Sequence, residues 1–316
     1  MISDVMLYGT AIAALLAVAG LALERIAAWI GTARRGAWAA TLILSVALPT
    51  MKLLVSHRPA PPPAISVALP SLRSEETSDI ATPDARALTG TAPHFVVEPR
   101  PQHYFMWPTL ASLEKVLRPL WLASSLGLLG LYALLWLRLR GEARRWRRVQ
   151  LKDQEVWVTQ GLGPAVFGFI RPIILMPQWI IDGPEADRVV VLAHEQEHIA
   201  ARDPGLLLLG LLLVIIAPWN LPMWWQLRRL RFAMEVDCDA RVLGRGAEAR
   251  AYGQVLLSIG QRRSFAPAGA IALTEPASQL LRRIRIMTTP IQKHGGWLLA
   301  TTIGLSLKRS RNLSVS

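Results

Sequence analysis

His194-Glu-Gln-Glu-His198, inside the helical stretch Ala186 to Ala201, decides how the rest of this chain is read. Acidic residues early in that stretch suit a helix start. A spacing of i, i+4 puts both imidazoles on one face, one turn apart, so that they can grip a single zinc ion. Glu195 follows the first histidine and is placed to take a proton from a metal-bound water, as in HExxH peptidases. The plainer alternative is an amphipathic helix with two surface histidines, and the flanking sequence has to decide between them.

Two imidazoles need a third protein ligand. Glu235, in Phe232-Ala-Met-Glu-Val-Asp-Cys-Asp-Ala-Arg241, is the best candidate on a second helical pattern. Asp239 lies one turn further along the same face, where a carboxylate can accept the second N–H of a ligand histidine and fix its tautomer. The alternative for both acids is a solvated face paired with Arg231 and Arg241. Asp237 points elsewhere. Cys238, the sole cysteine, is able to ligate zinc but reads more simply as a small buried residue.

Between the two motifs, Pro204 to Leu227 carries no charge. A single crossing there would put Glu235 and His198 on opposite sides of a membrane. Leu206 to Ala217 makes only about 18 Å of helix, against a hydrocarbon core of about 30 Å. Pro218-Trp-Asn-Leu-Pro222 then breaks the helix, and Trp224, Trp225, Arg228, Arg229 and Arg231 return to an interface. Residues 204–227 are therefore expected to form a re-entrant or interfacial hairpin that keeps all three ligands together.

The rest of the chain is written for a membrane. Of 316 residues, 52% are hydrophobic and 18% charged, where soluble proteins carry about 25% charged. The mean hydropathy is +0.32, and 12 Trp against 4 Tyr suit membrane interfaces. This composition excludes a disordered chain and a disulfide scaffold. Charge-free runs at Val5–Leu23 and Pro119–Leu137, and the run Ala37–Val55 with Lys52 in its last turn, where the stem can snorkel, predict three transmembrane helices. Within 1–55 lie the first two spans, within 108–138 the third, and the Pro-rich loop 56–107 joins them. The net charge of +13 is concentrated after the third span, at Arg138, Arg140, Arg144, Arg145, Arg147 and Arg148. A basic run abutting a span is topogenic, so nucleic acid is not expected as a direct partner. The N-terminus and the 56–107 loop are expected outside, and the region 139–293 in the cytoplasm. Short runs at Val156–Thr159, Ala165–Ile170 and Pro172–Met176 predict a small sheet. The expected fold is thus a mainly α membrane protein with a cytoplasmic α+β zinc-peptidase domain. Residues 294–316 are either a short apolar segment with a basic tail or a truncated fourth span.

Four ordered stretches make the chain resemble the BlaR/MecR-type family of membrane zinc metallopeptidases. They are Phe167-Gly-Phe-Ile-Arg-Pro-Ile-Ile-Leu-Met-Pro177, His194-Glu-Gln-Glu-His-Ile-Ala-Ala-Arg-Asp203, Glu235-Val-Asp-Cys-Asp-Ala-Arg-Val-Leu243 and Leu280-Leu-Arg-Arg-Ile-Arg-Ile-Met287. The resemblance implies zinc held by His194, His198 and Glu235, Glu195 as general base, and a cytoplasmic site fed by an outside signal. It also implies an inner-membrane signal transducer that cleaves a repressor-like cytoplasmic protein or itself. The expected departure from the family is the lack of a C-terminal sensor domain. Besides the lipid bilayer, a homodimer partner is allowed. Two other readings stay open: a non-enzymatic transducer braced by a structural zinc helix, and a housekeeping membrane-protein peptidase. For self-cleavage, the loop around Ser264–Phe265 is the expected target.

Overall fold

The computed structural model describes residues 2–56, 108–263 and 277–288. The expected cleavage loop around Ser264–Phe265, the 56–107 connection beyond Ser56 and the segment 294–316 fall outside them. The chain is mostly helical. It begins with α1 (Ile2–Ile30), α2 (Arg35–Ser56) and α3 (Pro108–Ala143). Segments Ser3–Ile30, Arg35–Val55 and Glu114–Ala143 are long and apolar enough to cross a membrane. Their side chains face outward in the manner of lipid-facing helices: Leu7, Leu15, Leu54 and Leu126 are all largely exposed. Helix α3 runs on past Leu137 to Ala143, carrying the first arginines of the basic run.

Four strands follow: β1 (Arg147–Leu151), β2 (Gln154–Thr159), β3 (Ala165–Phe167) and β4 (Ile173–Pro177). Their order is β1-β2-β4-β3, with β2 and β4 parallel and both outer pairs antiparallel. Strand β1 falls within the basic run that the sequence presents as a topogenic signal. The two roles are compatible because both its arginines stay exposed, Arg148 stacking over Trp157 and pairing with Glu155 at 3.7 Å. The other face of the sheet, through Val156, Ile174 and Met176, packs on Val191 and Leu192 of the helix that carries the histidines and on Val255 and Ile259.

That helix is α5 (Glu185–Ala200), reached through the short α4 (Gln178–Ile181). Beyond it lie α6 (Asp203–Ile216), α7 (Leu221–Gly244), α8 (Ala249–Arg263) and α9 (Ala277–Thr288). Helices α5 and α6 meet at a bend of 58°. Fourteen residues give α6 about 21 Å, short of a bilayer core. The chain then turns at Ala217–Asn220, and the Asn220 side chain caps α7 by accepting from Met223 N at 3.3 Å. Helix α7 folds back against α6, so closely that a Cβ on Gly210 would meet Leu227 at 2.9 Å. The reversal expected from the length of the uncharged stretch is present.

Helix α7 is sewn to the α1–α2 pair by polar contacts along its length. Asn220 Nδ2 donates to Gly9 O at 3.2 Å, and Gln226 Nε2 donates to Ala13 O at 2.7 Å. Arg229 pairs with Glu24, which also accepts from Trp38 Nε1 at 3.0 Å. Asp237 accepts from the backbone N–H groups of Arg34 and Arg35, both at 3.0 Å. Each of these groups would be costly to bury alone. Between them, Trp38, Leu42, Met223, Leu230 and Met234 form the apolar part of the seam. Gly20 lets α1 and α2 close on Trp38, whose ring would lie 2.7 Å from a Cβ there.

Candidate metal centre

The first turn of α5 carries Glu185 and Asp187, which suit its N-terminus, and its buried face presents His194, Glu195 and Glu197. One turn apart, His194 and His198 bring their Nε2 atoms within 3.2 Å of each other. Helix α7 supplies Glu235, whose carboxylate oxygens lie 3.5 Å from His194 Nε2 and 3.7 Å from His198 Nε2. A tetrahedral zinc ion with ligands at about 2.0–2.2 Å has donor–donor edges of roughly 3.3–3.6 Å. Two imidazole nitrogens and a carboxylate at these separations fit such an ion, with its fourth position left for water or substrate.

Cys238 offers another donor. Its sulfur and the two imidazoles form a group whose ligand atoms lie within 4.8 Å of one another. The sulfur, however, sits 3.3 Å from His194 Nδ1 and 3.3 Å from His194 O. Nδ1 already has the Tyr252 hydroxyl at 2.7 Å. The Nε2–Nε2–carboxylate triangle is therefore the better cradle, and Cys238 is a fully buried neighbour of it.

The outer nitrogens of both histidines are engaged. His198 Nδ1 lies 2.8 Å from Asp203 Oδ2. Asp203 can reach back because Arg202, between α5 and α6, takes a left-handed conformation at φ 58° and ψ 30°, which non-glycine residues seldom adopt. Sequence spacing suggests that Asp239 meets a ligand histidine directly. Instead it stands 3.8 Å from His194 Nδ1. The Tyr252 hydroxyl bridges the gap, donating to Asp239 Oδ1 at 2.6 Å and accepting from the imidazole. Arg283 of α9 closes the ring, donating to both Asp239 oxygens at 2.8 Å and pairing with Glu235 at 2.9 Å. Asp237, off this face, caps the turn between α1 and α2. Glu197 pairs with Arg241 at 3.1 Å and Arg245 at 2.6 Å.

Asp203, Tyr252 and Arg283 are members of the site that sequence reasoning did not single out. Asp203 and Arg283 stand inside stretches that carry the family resemblance; Tyr252 has no local signal.

Burial presses on the imidazoles, but the groups around them prevail. His194 is pushed up to about 10, with burial opposed by the Cys238 sulfur and by Glu235. His198 is pushed up to about 11, with burial opposed chiefly by its bond to Asp203. Glu235 is held well below the usual carboxylate range, because the Arg283 guanidinium and the histidines outweigh its burial. Burial and the Asp239 carboxylate raise the Tyr252 phenol, so it stays a neutral donor. Without metal, the imidazole pair thus holds a proton at neutral pH, and a metal must displace it. Metal affinity is expected to fall as pH falls below these raised values, about tenfold per pH unit for each proton displaced. Calorimetry at pH 7.5 in buffers of differing ionisation enthalpy should find about one proton or more released per metal. Release near zero would contradict the raised imidazoles.

In front of the Nε2 edges lies a cavity of about 710 Å³, onto which Glu195 opens. Strand β3 forms one wall, Leu207 and Leu211 of α6 another, and Val255 of α8 and Trp136 of α3 contribute to its rim. Among the described residues, the edge position of β3 leaves one side of that strand without a sheet partner.

The BlaR1 peptidase M56 family model matches residues 60–287, well over half of the chain and all of the site. The regulatory protein BlaR1 of Bacillus licheniformis is 33% identical to this chain over 107 residues. That stretch is 32% of this chain and 18% of the relative, so the chain spans only a small part of the curated relative's length.

Proposed function

The chain belongs to the BlaR1 peptidase M56 family, and on that premise we propose that it is a membrane-anchored zinc endopeptidase acting on a cytoplasmic, repressor-like protein or on itself. The observation that carries this reading is the convergence of His194 Nε2, His198 Nε2 and the Glu235 carboxylate at 3.2–3.7 Å beside a large cleft. His194, His198 and Glu235 hold the ion, which when bound polarises the scissile carbonyl and makes the attacking water more acidic. Glu195 accepts the proton of that water and passes it to the leaving amine nitrogen. The open edge of β3 receives the substrate as an added strand through main-chain hydrogen bonds, and Leu207 and Leu211 offer apolar surface to a side chain near the scissile bond. The arginines that follow α3 support a cytoplasmic site at the inner membrane, with the N-terminus outside.

The test is cleavage of a candidate repressor by the purified full chain, with and without a chelator. Cleavage that stops on chelation and returns with zinc supports the enzyme. An intact repressor and an intact chain under every condition, despite bound zinc, would leave the site as the brace of a non-enzymatic transducer.

A further inference from the structure

The turn between the first two membrane helices touches the supports of both metal-binding helices. Arg35, the first residue of α2, places Nη1 2.5 Å from Asp203 Oδ1. The other oxygen of the same carboxylate holds His198 Nδ1 at 2.8 Å. Asp203 is almost wholly buried, and Arg241 approaches it only to 3.6 Å. Its two oxygens are thus divided between one guanidinium and one imidazole. The backbone N–H groups of Arg34 and Arg35 are bound by Asp237, two residues beyond Glu235 on α7.

We propose that Arg35 is a positioning residue of the metal centre, fixing His198 through Asp203 and so tying the α1–α2 hairpin to the ligand geometry. The proposal rests on the reading of His194, His198 and Glu235 as the ligands. A carboxylate anchored at one oxygen can turn only about that anchor, so the ring it holds presents Nε2 in one direction. Without the guanidinium, Asp203 keeps its bond to His198 but loses the fixed point that aims it. A shift of the α1–α2 turn would move Asp203 and Asp237 together, and through them ligands on α5 and α7. The hairpin is in this way a mechanical input to the site.

The experiment uses the full chain in detergent micelles. It measures zinc affinity by chelator competition, the visible spectrum of the cobalt(II)-loaded protein, and thermal unfolding without metal. Arg35→Met is expected to weaken zinc binding about tenfold, the lower end of what loss of an outer partner costs. It should also alter the cobalt spectrum at saturation. Arg35→Lys, which restores the cation, should recover most of the affinity and the spectrum. Arg34→Met removes a neighbouring cation that does not reach Asp203, and should bind as the wild type does. If Arg35→Met fails to fold, Arg35→Gln puts the same question with a hydrogen-bonding side chain. Wild-type affinity and spectrum in a folded Arg35→Met or Arg35→Gln protein would overturn the proposal alone. A wild-type chain that takes up no zinc would overturn the metal centre, and the role of Arg35 with it.

Discussion

Replacing Glu195 with Gln is expected to lower peptide cleavage by about 10²–10⁴-fold, the usual worth of a positioned general base, while zinc content stays at the wild-type level. On the proposed mechanism the two outcomes separate, because Glu195 serves the chemistry and not the cradle. It follows His194 on α5, is buried, and faces the cleft, while the three converging donors come from His194, His198 and Glu235. Glutamine keeps the size and shape of the side chain but cannot accept a proton from water at neutral pH. The measurement is the initial cleavage rate alongside metal analysis of the same sample. A variant as active as the wild type would exclude Glu195 as the base. An inactive variant that retains zinc also makes a trap for the natural substrate.

The second large effect is loss of the metal itself. His194→Ala and His198→Ala should each lose most bound zinc, since either leaves one imidazole and one carboxylate. Glu235→Ala should lose much of it for two reasons. It removes an anionic ligand, and it takes from Arg283 the carboxylate that stands between the guanidinium and the cation site. Asp239→Ala acts one step further out, through Tyr252, and should weaken binding by about 10–100-fold. Cys238→Ser tests the competing donor set and should retain zinc, because the sulfur lies on the Nδ1 side of His194. Zinc kept by Glu235→Ala and lost by Cys238→Ser would reverse the assignment.

How far the sequence discloses this arrangement varies with the range of the interaction. His194, Glu195 and His198 are legible because helical periodicity alone puts them on one turn. The α6–α7 reversal is legible because an uncharged stretch too short for two spans and broken by two prolines has few other ways to fold. Strand β1 is obscured by its own arginines, whose charge reads as a membrane signal although both stay exposed on an edge strand of the sheet. Asp203 stands in plain sight five residues after His198, yet its role depends on the left-handed turn at Arg202, which no residue type there announces. Tyr252 and Arg283 reach the site from separate helices, and only tertiary packing makes them neighbours of Asp239. For the same reason Asp239 looks like a direct partner of histidine in one dimension and proves to be one hydroxyl removed in three.

The polar seam between α7 and the α1–α2 pair has a consequence for the life history of the chain. On a ribosome the two histidines emerge before Glu235, and neither helix then has its final neighbours. Glu235 takes its place only once α7 has settled along α1, with Asn220, Gln226 and Arg229 matched to Gly9, Ala13 and Glu24. Those partners lie on α1, which leaves the ribosome well before α7. On the proposed reading, a nascent or mislocalised copy therefore lacks its complete ligand set until α7 has docked. Excising the catalytic segment as a soluble fragment would strip the same partners away, leaving a helix with buried amides and a guanidinium facing nothing that can bind them. On that reading, maturation and address are a single event.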